Sequence, residues 1–255
     1  MEPVVISVFT SRELGFTGNP AAIFLCDKML GTEDMQQKAT VIGLPATTFV
    51  NIDEEGRCNV RWFAPDAEIN LCGHGAAAAG IFLSDYLNKK DTVLYYNGGE
   101  IVVTVEEETF YMSLGAIPVI RELPRCPEPI REGLGIPVLG VFETANKHLI
   151  LTDSATSVKH MNPDYARLRD SEIFGYAITA PGDKVDFVSR TLVPYVSQLE
   201  DYATGSSHAM LVPFWAERLK KNEMVADQLS DRGGRFYTKI NGKEVTLSGQ
   251  YERLS

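Results

Sequence analysis

The feature that most constrains this chain is an internal echo. "RWFAPDAEINLCGHG" (residues 61–75) places Arg61 four residues before Pro65 and then runs through a glycine-rich lead-in to an apolar helix. "RTLVPYVSQLEDYATGSSH" (residues 190–208) places Arg190 four residues before Pro194 and ends in a similar lead-in. Repeated supersecondary units imply duplication and pseudo-twofold symmetry. Gly73-His74-Gly75 and Thr204-Gly205-Ser206 are then expected to face each other across one cleft, where two helix N-termini converge. Each N-terminus offers backbone N–H groups without intrahelical partners and the positive end of a dipole. Such an arrangement binds a carboxylate without needing a lysine or arginine, and glycines let the ligand approach the backbone closely.

The flanking segments suit that duplication. β-rich runs occur at "VVISVF", "AAIFLC", "TTFVNI" and "CNVRWF", with a helical pattern at "GTEDMQQKATVIG" and a second helix from about Gly73 to Tyr86. "TVLYYN", a turn at Asn97-Gly98-Gly99, "EIVVTVEE" and "TFYMSLG" follow. Pro118, Pro124, Pro127 and Pro129 mark a crossing between halves. Beyond it lie strand patterns at "VLGVFETA", "KHLILT", "FGYAITA" and "DFVSRTLV". Helices are expected near "NPDYARLRDSE" and "ATGSSHAMLVPFWAERLKK", before a hairpin turning at Asn241-Gly242. The expected class is α+β, with an N-terminal half over 1–116 and a C-terminal half over 117–255, the last strands having the option of packing back on the first half.

Composition excludes several functions. The 255 residues carry a formal charge of -10 and no basic cluster, which opposes nucleic-acid and anionic-membrane surfaces. No apolar run approaches the roughly 18 to 20 residues that span a bilayer. "MEPVVISVFTS" lacks the basic start of a signal peptide and reads as a first strand. Cys26, Cys58, Cys72 and Cys126 form no Cys-x-x-Cys pair, and His74, His148, His160 and His208 show no metal-ligand spacing. The expectation is a cytoplasmic protein with no metal and no cofactor, acting on a small molecule.

Taken singly, the motif residues have ordinary structural readings. A glycine-rich helix start is commonly an N-cap, a lone histidine a hydrogen-bonded core residue, and Cys72 a small buried hydrophobe. Glu200-Asp201 would favour the dipole of the helix that follows. Two matched lead-ins shift the balance towards an anion-binding cleft.

"FTGNPAAIFL", "RWFAP", "LCGHG", "EDYATGSSH" and "DRGGRFYTKINGKEVTLSG" together, in this order from Phe16 to Gly249, closely resemble the phenazine-biosynthesis PhzF family. That resemblance implies a diaminopimelate epimerase-like fold, each half a mixed sheet wrapped around a central helix. It implies cofactor-independent isomerases that move a proton within a small carboxylated ring, with the active site between the halves and many members homodimeric. Carried over by position, it assigns catalytic roles to His74 and Asp201. It assigns substrate contacts to Gly73, Gly75, Gly205, Ser206, Asn19, Tyr202 and Cys72.

Three departures stand out. Family members carry their principal acid/base glutamate in a segment resembling Leu-Ser-Glu-Thr-x-Phe-Val; here it is "LPATTFV", with Ala46 in the glutamate's place. Either Ala46 replaces a glutamate by engineering, or His74 and Asp201 do the chemistry, or the chain only binds. Glu68 and Glu200 are substitutes in principle. Tyr202 stands where proline is common, which suggests a part in substrate selectivity. No cysteine in "EDYATG" matches Cys72, which opposes a two-cysteine racemase.

Overall fold

The computed structural model describes residues 2–254. The chain forms two compact units, Met1–Ser113 together with Leu247–Ser255, and Leu114–Thr246. In the first, β1 (Val4–Thr10) pairs antiparallel with β2 (Asn19–Leu25). Helix α1 (Thr32–Ile42) leads to β3 (Ala46–Ile52), which runs parallel to β2. β4 (Cys58–Phe63) is antiparallel to β3 and carries the two-residue β5 (Glu68–Ile69) on its far edge. Helix α2 (Gly73–Leu87) then leads to β6 (Asp91–Tyr96), parallel to β4, and to the meander of β7 (Gly99–Glu106) and β8 (Thr109–Gly115).

The second unit repeats this order after β9 (Val119–Glu122), α3 (Glu128–Leu134) and β10 (Gly140–Thr144). β11 (His148–Leu151) is followed by α4 (Ala155–His160), α5 (Tyr165–Arg169) and β12 (Tyr176–Pro181), parallel to β11. β13 (Phe187–Val193) is antiparallel to β12 and carries the short β14 (Leu199–Asp201). Helix α6 (Gly205–Leu219) precedes β15 (Glu223–Gln228), parallel to β13, and then β16 (Gly234–Asn241). β17 (Glu244–Arg253) returns to the first unit, pairing Ile6 with Arg253. The parallel, antiparallel, antiparallel, parallel sequence of pairings is therefore the same in both units, and the sequence echo is a structural repeat.

Each sheet has a central helix on one face and shorter helices on the other. α2 is buried nearly all round, from Gly73 to Ile81 without a break, as an apolar helix without a polar face must be. On the opposite face α1 sends Met35 and Ala39 against Phe24, Phe49 and Phe63. In the second unit α3, α4 and α5 supply Ile130, Leu134, Val158 and Leu168 to a cluster with Ile150, Ile178 and Leu192.

α6 carries Pro213 in its interior, which removes the N–H that would bond to the carbonyl four residues back. That carbonyl, Ala209 O, instead accepts the Ile117 N–H at 2.9 Å, so the break in the ladder is filled.

The proline-rich crossing is more structured than its composition suggests. It holds β9, which pairs with β10, and the start of α3, where Pro127 is the N-cap and Pro129 lies in the first turn. Proline is at home in a helix's first turn because the N–H it lacks has no partner there. The short α4 also escapes periodicity, being set by the Ser154 hydroxyl accepting the Ser157 N–H.

Gly80 marks where α2 meets β7. A Cβ there would lie 2.4 Å from Val103 Cβ and 2.5 Å from its Cγ1. Gly80→Ala should therefore destabilise by about 1–3 kcal/mol despite alanine's better helix propensity, because β-branched Val103 cannot swing aside. Urea denaturation checks this, and Val103→Ala in the same chain should recover much of the loss.

Candidate active site

The N-termini of α2 and α6 are built alike. Their caps, Cys72 (φ -122°, ψ 100°) and Thr204 (φ -116°, ψ 103°), have nearly the same extended backbone, and a glycine follows each. Neither cap side chain makes a capping hydrogen bond to its helix backbone, and neither first turn holds an acidic residue. The first helical bonds are Ala76 N–H to Cys72 O at 2.8 Å and His208 N–H to Thr204 O at 3.2 Å. The usual means of closing a helix N-terminus, a capping oxygen or a carboxylate, are thus withheld at both.

In the first unit strand register gathers the motif residues around the start of α2. Ala21 pairs with Ala46, Ile23 with Thr48, and Thr48 with Trp62, so these side chains share one sheet face. Asn19, two residues before Ala21, lies on the same face and is fully buried. That this face meets α2 is shown by Thr48 Oγ1, which donates to Gly75 O at 3.3 Å. Gly75 is required here: a Cβ would lie 2.8 Å from Trp62 Cδ1 and 3.0 Å from Cys72 Sγ. The buried His74 ring has Nδ1 3.5 Å from Cys72 Sγ. Ala46 contributes a fully buried methyl group. Glu68 is tied up, its carboxylate held by Arg61 through Nε and Nη2, both at 2.7 Å, and that hydrogen bonding lowers its pKa below the usual value.

In the second unit Asp201 pairs with Thr191, whose hydroxyl donates to Ser207 Oγ of α6 at 2.9 Å. Antiparallel partners share a face, so Asp201 lies on the α6 side. Gln228, fully buried, fixes the connection: its Oε1 accepts the Thr204 N–H at 2.9 Å, and its Nε2 donates to Thr204 Oγ1 and to the Asp201 carbonyl. Tyr202 is held separately, its carbonyl accepting the Ser230 hydroxyl and its ring lying under the Arg232 guanidinium at 5.7 Å.

Glu200, like Glu68, is locked in a bidentate pair, with Arg190 at 2.8 and 2.7 Å. His208, within the same motif, is structural. Its Nδ1–H donates to Thr204 O at 2.9 Å, its ring stacks 3.6 Å from Phe236, and burial lowers its pKa to about 4.

One residue of this neighbourhood escaped the sequence reading. Lys147 is only 5% exposed, and its Nζ donates to Ser206 Oγ at 3.0 Å and to Asn146 Oδ1 at 2.6 Å. Burial pushes its pKa down to about 8, against the opposing pull of the Asp201 charge. The signal was faint: a lysine directly before the strand pattern "HLIL" looks like an exposed strand end. Among the described residues no group of three or more His, Cys, Asp or Glu is placed to hold a metal ion, and no helix is long and apolar enough to cross a membrane.

Sequence and structure comparisons agree with this architecture. The family model described as phenazine biosynthesis-like protein matches residues 6–121 and 131–252. The chain belongs to that PhzC-PhzF family. An uncharacterized isomerase of Pseudomonas aeruginosa is 35% identical over 98% of this chain and 96% of its own length. A PhzF-family crystal structure from Enterococcus faecalis superposes with a TM-score of 0.91 at 29% identity, covering 100% of this chain and 98% of that one. A hydroxyproline epimerase from Agrobacterium vitis shares the fold alone, with a TM-score of 0.67 at 8% identity over 100% of this chain and 91% of that one.

The two arginine–glutamate pairs differ in burial, which sets their energetic weight. Arg190 and Glu200 side chains are 9% and 12% exposed, whereas those of Arg61 and Glu68 are 30% and 38%. Arg190→Ala should cost about 3–5 kcal/mol by leaving Glu200 buried and unpaired. Arg61→Ala should cost no more than about 1 kcal/mol. Equal losses in urea denaturation would contradict this assignment.

Proposed function

We propose that this chain is an isomerase that moves a proton within a small, cyclic carboxylate without help from a cofactor. The observation that carries the reading is the pair of matched, glycine-led helix N-termini, each left open by its own cap. What supports taking them together is the matched order of their sequences. A carboxylate suits a helix N-terminus that its own cap side chain leaves uncapped. The isomerase class is supported by family membership and by the name of the Pseudomonas relative.

In this reading Gly73, Gly75, Gly205 and Ser206 hold the carboxylate, with Asn19, Cys72 and Tyr202 lining the substrate. His74 and Asp201 polarise or protonate it. The protein works as a cytoplasmic homodimer, with no nucleic-acid or membrane partner. The absence of a carboxylate at position 46 favours a second reading, a carboxylate-binding protein without turnover. Ala46 accepts no proton, and loss of a positioned acid/base typically costs on the order of 10² to 10⁴ in rate.

The two readings separate in deuterated buffer. Dihydro-hydroxyanthranilate and related cyclic acids would be incubated with the chain and with its Ala46→Glu form, and solvent exchange followed by NMR. The isomerase reading expects exchange from at least one form, abolished by His74→Ala or Asp201→Asn with the fold intact. Binding without exchange in both forms would establish the binding-protein reading instead.

A further inference from the structure

The repeat relates positions in the two units, and one relation bears on the missing carboxylate. Ile23, Thr48 and Trp62 lie side by side on β2, β3 and β4; Leu149, Ala177 and Thr191 do so on β11, β12 and β13. Trp62 follows Arg61 and Thr191 follows Arg190, so the two rows are equivalent. Two residues back along the parallel pair, the first unit has Ala21 beside Ala46. The equivalent positions in the second unit are Lys147 and Gly175. The His148 N–H bonds to Gly175 O at 3.0 Å, and a Cβ on Gly175 would sit 3.4 Å from Lys147 Cγ and Cδ. The bare glycine gives the lysine stem its path to the start of α6.

We propose that Lys147 is the group that accepts and returns the substrate proton in this chain, in place of the carboxylate that position 46 lacks. This rests on the isomerase reading above. The hydrogen bonding fits a neutral amine: two N–H groups have two acceptors, Asn146 Oδ1 and Ser206 Oγ, and one lone pair is left over. An ammonium there would be buried and would stand at the positive end of a 15-residue helix, with the Asp201 charge pulling the other way. Asp201 on β14 is the charged group that acts on it; Gly175 lies just before β12, α6 presents Ser206, and its own turn presents Asn146.

In the step itself, the amine lone pair takes a proton from a substrate carbon, and the C–H electrons enter the substrate's π system. The resulting ammonium, stabilised by Asp201, delivers the proton to another carbon, which forms its new C–H bond from that π system. The lysine returns to its neutral form, and nothing is oxidised or reduced.

The test measures solvent exchange into the cyclic acids for the parent chain, Lys147→Met, Lys147→Arg and Ala46→Glu between pH 6 and 10, with benzoate affinity by calorimetry. The parent rate should rise with pH through a midpoint near 8 and then level, following the amine as it loses its proton. Lys147→Met should lose about 100-fold or more in kcat and the pH-dependent limb, with benzoate affinity within about threefold. Lys147→Arg, which keeps the charge but cannot give up its proton, should be as slow. Retained kcat in Lys147→Met, or activity in Lys147→Arg, would overturn the assignment. So would a loss confined to benzoate affinity, which would make the lysine an anion holder. Exchange by Ala46→Glu alone would remove Lys147 while leaving the isomerase reading intact. Silence from every form, with benzoate still bound, would overturn both.

Discussion

A bidentate arginine–glutamate pair braces the short strand that leads into each central helix. β5 has two residues and β14 three, too few for ladder hydrogen bonds to hold either in place. Arg61 grips Glu68, and Arg190 grips Glu200, each through two short parallel bonds to a partner across the strand pair. From the end of each clamped strand the chain has three residues to reach its N-cap, Cys72 or Thr204, and the caps adopt nearly the same backbone angles. Of the two braces, the one ahead of α6 in the second unit is the more buried.

The clamps also explain what two tempting carboxylates do. From composition alone, Glu68 and Glu200 could stand in for the glutamate that position 46 lacks. Geometry assigns them to bracing, each carboxylate held in the fixed fork of a guanidinium. In the proposed isomerase reading the chemistry falls to other groups. The repeat then becomes informative through its asymmetry. Around the start of α2 lie a methyl, a thiol and an imidazole; around the start of α6 lie an amine, a carboxylate and a hydroxyl. Duplication conserved the backbone scaffold, and the two copies carry different chemical equipment on it.

Much of this was legible in the sequence because it is written locally. The Arg-x-x-x-Pro and glycine-rich echo fixes the repeat, the alanine run fixes the buried helix, and Asn-Gly turns fix the hairpins. What escaped is non-local. β15 is a short acidic stretch whose identity as a strand comes from pairing with β13 and β16. Gln228 sits at its end and becomes a bridge only when β15 brings it against Thr204 and Asp201. Lys147 is an ordinary strand-end lysine until β11 and β12 align it over a bare glycine and under the first turn of α6. Pro213 looks like a helix breaker until Ile117 arrives to take the orphaned carbonyl.

We propose that one carboxylate is held by the first turns of both α2 and α6. The most direct test is a titration of the isotopically labelled chain with benzoate, following the backbone amides of Gly73, His74, Gly75, Gly205 and Ser206 by NMR. The account predicts that amides of both helices shift saturably and share a single Kd. Shifts confined to one helix, two unrelated Kd values, or saturable shifts elsewhere with these amides unmoved would contradict it.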